Sequence, residues 1–155
     1  MKQVHYESFR SSLLVFFKNN HDAVNLAMML IEVADVWDDV VDGDSPTKER
    51  VNKAFRMALI DINENPFYAA FQRDLRPIIL STILKWLDAN KLEKNKEHLE
   101  KAYMLRAGLY DLFAHIAYII GGHDWYDQVG VSIRKLYGEN FADYKVEICQ
   151  IQYQE

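Results

Sequence analysis

The chain has 155 residues, enough for one compact domain and short for two. Hydrophobic residues make up 50% and aromatic residues 13%, which excludes a disordered chain. A net charge of -5 with a pI near 5.5, and basic residues scattered rather than clustered, exclude a general nucleic-acid binder, because phosphate-backbone affinity requires a concentrated positive field.

Six glycines and three prolines leave few breaks. The apolar residues recur at three- and four-residue spacing rather than alternating, so the expectation is all-α: a single domain over residues 1–155, folded as an antiparallel bundle of five or six helices. In "MKQVHYESFRSS" His5, Glu7 and Arg10 interrupt any apolar run, so no secretory signal is read there. A first helix is expected over 3–18, with Tyr6, Phe9, Leu13, Phe16 and Phe17 as its core side, ending at Asn19-Asn20. The second spans 21–42 and stops at Gly43. In "GDSPTKE" Ser45 is expected to cap a third helix with Pro46 at its first position, where a missing N–H costs nothing. That helix runs to Asn63.

"NENP" then breaks the chain, and a fourth helix begins near Pro66, kinked or split at Pro77 because proline cannot donate to the helical ladder. "DANKLEKNKEHLEK" reads as a surface turn leading into a long helix over 96–120. "GGHDW" ends that helix and starts a sixth over 124–137. The tail "DYKVEICQIQYQE" reads as a short strand or a helix end. Its Cys149, the only cysteine, cannot close an internal disulfide and reads as a small packing residue in a reducing compartment. The apolar runs "AVNLAMMLI" and "IAYII" fall short of the roughly 20 residues of a membrane span. The expected protein is cytoplasmic, with a homodimer left open.

The stretch "EVADVWDDVVDGD", residues 32–44, holds Glu32, Asp35, Asp38, Asp39, Asp42 and Asp44 and no base. At 100° per residue Asp35, Asp38, Asp39 and Asp42 fall within an arc of roughly 100°, and the same arc carries Val24, Met28 and Ile31 nearer the N-terminus. One face therefore turns from apolar to acidic. Like charges at i,i+3 and i,i+4 cost about 0.2–0.5 kcal/mol per pair in an isolated helix, which a hard cation such as Mg²⁺ would offset.

Asp38, Asp39 and Asp42 form "DDVVD", and the longer "AVNLAMMLIEVADVWDDVVDGD" resembles the aspartate-rich DDxxD helix of class I isoprenoid synthases, the trans-isoprenyl diphosphate synthases. The resemblance implies an isoprenoid-synthase-like bundle in which Asp38 and Asp42 hold Mg²⁺, with Asp39 and Asp35 beside them. The metal would bind and ionise a diphosphate-bearing substrate by Lewis-acid stabilisation, and Met28 and Ile31 would line the apolar cavity. Where that family carries a pair of arginines, "GDSPTKER" offers Lys48 and Arg50, and no second DDxxD follows. "EVADV" also fits the ExxD element of MazG-type nucleotide pyrophosphohydrolases, which would make Glu32 and Asp35 the metal ligands, with only Glu7 upstream for that family's ExxE pair.

In "LYDLFAHIAYII" Asp111 and His115 lie i,i+4 within an apolar segment, where a carboxylate needs a partner. Two accounts stand: Asp111 bonds His115 or Arg106, or the pair faces the acidic helix as part of a metal site. Asp124 and Asp127 in "HDWYD" complete this possible second cluster. His21-Asp22 and His123-Asp124 resemble the dipeptide of HD-domain phosphohydrolases, and equally suit helix starts. Against every enzymatic reading stands a non-enzymatic helical interaction protein whose acidic stripe is a solvated face.

Overall fold

A computed structural model describes residues 3–151, with side chains described over 6–149. The fold is all-α, and no strand occurs among the described residues. The helices are α1 (Gln3–Phe16), α2 (His21–Asp42), α3 (Lys48–Arg56), α4 (Ile62–Glu64), α5 (Pro66–Leu92), α6 (Leu99–Arg106), α7 (Leu109–Arg134) and α8 (Phe141–Ile151). Among the described residues no helix is long and apolar enough to cross a membrane. Contacts group into two compact units, Met1–Arg73 and Asp74–Glu155.

In the first unit α2 is the hub, touching α1, α3, α4 and the π-helical turn Met57–Asp61. Lys18 and Asn19 reverse the chain at positive φ, and α1 returns alongside α2 so that Arg10 Nη2 donates to Asn25 Oδ1 at 2.9 Å. Asn20 caps α2, its Oδ1 accepting from the Ala23 N–H at 3.0 Å, which satisfies one of the orphan amides of a helix start. The helix ends where the Gly43 N–H bonds the Asp39 carbonyl. Phe9, Leu13 and Phe17 are buried, as are Val24, Leu26, Met28 and Ile31 of α2, while Tyr6 and Phe16 are half-buried.

The start of α3 falls two residues later than Ser45-Pro46 suggests. Thr47 is the cap, its Oγ1 accepting from the Arg50 N–H at 3.2 Å, and Ser45 lies in the link at φ 40°. Before residue 63 the expected third helix passes through the π-helical turn, which inserts one residue into the α ladder. Asn65 is the buried polar residue of this unit. Its Nδ2 donates to the Asp22 carbonyl at 2.9 Å and its Oδ1 accepts from the Tyr68 N–H at 3.0 Å, so one side chain caps α5 and ties it to the first turn of α2.

Helix α5 bends at Phe71 (φ -118°, ψ 16°) and runs on through Pro77. The proline ring presses on the carbonyl four residues before it, which is that of Arg73, so the bend at Phe71 is not its doing. The expected surface turn from Asp88 is still helix, with Ala89 fully buried. The link ends instead in a short 3₁₀ turn, Lys96–His98. The long helix expected over 96–120 is divided at Ala107-Gly108. There Thr82 Oγ1 donates to the Gly108 carbonyl at 3.2 Å, and a Cβ on Gly108 would meet the Leu105 carbonyl oxygen at 3.2 Å and Lys85 Cδ at 3.3 Å, so a larger residue would require its neighbours to give by a few tenths of an ångström.

Helix α7 carries the break expected at "GGHDW". Gly122 sits at φ 73°, ψ -169°, a conformation open essentially to glycine alone, and a second helical half follows. The tail is helical, although residues 152–155 lie outside the described range. Tyr103 anchors the packing of α6 on α8, with its ring centroid 5.4 Å from those of Tyr137, Phe141 and Tyr144. Beside it Arg106 grips Glu93 with two hydrogen bonds of 2.8 and 2.9 Å and lies 5.3 Å over the Trp86 ring. Tyr144 donates to the same carboxylate. Cys149 is half-buried on α8.

Candidate functional site

The face of α2 that carries Val24, Met28 and Ile31 lies in the core, and its continuation leaves the core. Asp38 and Asp39 are half-buried, while Asp35 and Asp42 are exposed. Val40 and Val41 are also half exposed, so the last turns project beyond the packed region with their apolar side chains as well as their acids.

Basic residues of α3 answer that charge. Arg50 Nη1 bonds Asp39 Oδ2 at 2.6 Å and Lys53 Nζ bonds Glu32 Oε1 at 2.9 Å. The like-charge cost along α2 is therefore offset across the α2–α3 contact. Arg50 is thus engaged by a carboxylate of the DDVVD element, while Lys48 is exposed at the first turn of α3. Partial desolvation, helped by the neighbouring Asp39 and Asp38, lifts the Asp35 carboxyl above its ordinary value against the pull of Arg50. Among the described residues no group of three His, Cys, Asp or Glu side chains is disposed to hold a metal ion, so the acids of α2 are not a preassembled ligand set. Glu7 is exposed on α1, and Glu32 is held by Lys53.

Each unit carries a cavity. The first, of about 500 Å³, is floored by Met28, Met29 and Met57 and rimmed by Asp22, Glu32 and Glu64. Met28 is thus cavity-lining, whereas Ile31 is packed into the core. The π-helical turn supplies Met57 and Asp61 to this wall.

The second, of about 530 Å³, contains Asp111 and His115 together with His123, Tyr126 and Arg134. Asp111 bonds neither His115 nor Arg106. Its carboxylate accepts from Lys85 and from Arg134 Nη1, the latter at 2.6 Å, because α5 and the second half of α7 bring cations to it and Arg106 is already paired with Glu93. Although burial opposes it, these bonds hold the Asp111 carboxyl below its usual range. His115 lies nearly parallel to Tyr118, 17° between planes and 6.3 Å between centroids. Asp124 and Asp127 are exposed on α7 and do not line this cavity.

The sequence signal for His123, Tyr126 and Arg134 was the glycine pair at 121–122. It marks where α7 changes course, and with it the side chains that return toward Asp111. In comparisons with protein families, with curated proteins and with solved structures, nothing matches the chain.

Proposed function

We propose that this chain is a non-enzymatic helical interaction protein that docks an amphipathic helix with acidic flanks along α5. The observation that carries the reading is an exposed apolar stripe at i, i+3, i+4 and i+7: Leu80, Ile83, Leu84 and Leu87, exposed by 56, 38, 51 and 40%. Fully burying such a side chain is worth about 1.5–3 kcal/mol, so covering these partly exposed ones would gain roughly half of that each.

Charge selects the occupant. On the wheel of α5, Arg76 and Lys91 fall in line with the stripe at its two ends. A second copy laid antiparallel about Ile83 and Leu84 would set Arg76 against Lys91, and a parallel copy would set Arg76 against itself. A partner with Glu or Asp at the ends of its apolar face meets both cations favourably. Two of the acids of α2, Glu32 and Asp39, are already paired with Lys53 and Arg50 of α3.

The test is binding of two synthetic helices with the same leucine stripe, one flanked by Glu and one by Lys, to wild type and to Leu84→Glu. The Glu-flanked helix should bind wild type at least roughly tenfold tighter than the Lys-flanked one, and the variant should lose that binding while keeping its helical spectrum. Equal binding of both helices, or an unaffected variant, sinks the proposal. A dimer in sedimentation that Leu84→Glu dissociates would assign the stripe to a second copy instead.

A second reading, Mg²⁺-dependent binding of a diphosphate at Asp35, Asp38, Asp39 and Asp42, is supported by the like charges of Asp39 and Asp38, which add to the burial that lifts the Asp35 carboxyl and which a cation would offset. It requires that Mg²⁺ with pyrophosphate raise the melting midpoint of wild type and leave that of Asp38→Asn/Asp42→Asn where it was, because a ligand selective for the folded state stabilises it. An unmoved wild-type midpoint removes this reading.

A further inference from the structure

The cavity of about 530 Å³ in the second unit has a marked imbalance of hydrogen-bonding groups. Ser81, Tyr118 and Tyr126 bring hydroxyls, His115 and His123 bring imidazoles, and Arg134 brings a guanidinium. The only carboxylate lining it is Asp111, and that group already accepts from Lys85 and Arg134. A guanidinium carries five N–H donors, so the single bond from Nη1 to Asp111 leaves others to aim into the cavity.

The walls are as informative as the charges. Tyr118 and His115 lie nearly parallel, and Tyr126 stands edge-on to Tyr118 at 73° with centroids 6.4 Å apart. Pro77, Ile78 and Ala114 complete an apolar side. The volume falls within the roughly 300–1,000 Å³ of small-molecule sites.

We propose that this cavity binds a small anion bearing a planar ring, its phosphate or carboxylate group taken by Arg134 and the neighbouring hydroxyl and imidazole donors and its ring by Tyr118 and His115. A cationic ligand would meet the guanidinium without an acceptor of its own to offer. A purely apolar one would cover these donors without offering them an acceptor, which is costly. An oxyanion satisfies them with charge-assisted hydrogen bonds. This site is separate from the α5 stripe, whose side chains do not line it, so each proposal can fail alone.

The test is calorimetric titration of the full chain with phenyl phosphate, benzoate, inorganic phosphate and benzylamine. At least one of the two ring-bearing anions should bind, and whichever is tighter identifies the anionic group. Inorganic phosphate should be roughly tenfold weaker or worse for want of ring contacts, and benzylamine should not bind. Tyr118 and His123 are exposed, so Tyr118→Ala and His123→Ala should keep the fold, and each should weaken binding by roughly two- to tenfold. The proposal is overturned if no ring-bearing anion binds, if benzylamine or inorganic phosphate matches the tighter ring-bearing anion, or if both variants bind as wild type does.

Discussion

Asp35 and Asp111 are carboxylates moved in opposite directions, and they give stability opposite dependences on pH. Desolvation, reinforced by Asp39 and Asp38, raises Asp35 above 3.8, so the folded state holds that proton more tightly than the unfolded state does. Its favourable contribution is present at pH below the unfolded value and lost as pH rises through the folded one. Asp111, lowered from 3.8 by Lys85 and Arg134 against the opposing effect of burial, contributes above the unfolded value, and that contribution is lost as pH falls through the folded one. Asp35→Asn should therefore leave stability at pH 7 unchanged or raise it by a few tenths of a kcal/mol. Asp111→Asn should lower it by about 1 kcal/mol, since both ion pairs are partly solvent-screened, and the deficit should close as pH approaches 2. Thermal melts of both variants from pH 2 to 7 decide it. An Asp111→Asn deficit as large at pH 2 as at pH 7 would show that packing, not charge, sets its effect.

At the scale of the element, what the sequence made legible was what local chemistry determines. Asn20 and Gly43 bound α2 because a capping side chain and a C-terminal glycine act on the residues beside them, and the observed span His21–Asp42 is the expected one. Pro66 likewise opens α5 behind its Asn65 cap. The break at Gly108 was not legible, because the groups that meet the chain there, Thr82 and Lys85, come from another helix. The ion pairs of Arg50 and Lys53 with α2 were hidden for the same reason: nothing in the spacing of "TKERVNK" says which helix it will lie against. Within α7 the glycine pair did reveal the break, and it supplies a clean test of why. A Cβ on Gly122 would meet nothing within 4 Å, so steric crowding predicts that Gly122→Ala is harmless. Its φ of 73° with ψ of -169° predicts otherwise: the variant should lose about 1–3 kcal/mol through backbone strain. Denaturant titration separates the two, and an unchanged midpoint would mean the backbone relaxes there at no cost.

At the scale of the whole molecule, the division of contacts into Met1–Arg73 and Asp74–Glu155 bears on how the chain unfolds. Each unit owns fully buried side chains, Leu13, Phe17 and Leu26 in the first and Leu112, Phe113 and Ile116 in the second. Each is also small enough that one truncation removes a large share of its stability. Composition over the full length pointed to a single bundle, because hydrophobic content and periodicity report how much core a chain can build and not how its contacts partition. Leu26→Ala and Leu112→Ala should each cost about 2–5 kcal/mol by transfer and cavity terms, and the two differ in where that loss is felt. If each unit opens as its own cooperative element, Leu26→Ala will lower hydrogen-exchange protection in α2 while leaving the first half of α7 nearly unchanged, and Leu112→Ala will do the reverse. If either substitution lowers protection equally in both helices, the contact clusters are not independent energetic units, and the chain unfolds as the one domain its length suggests.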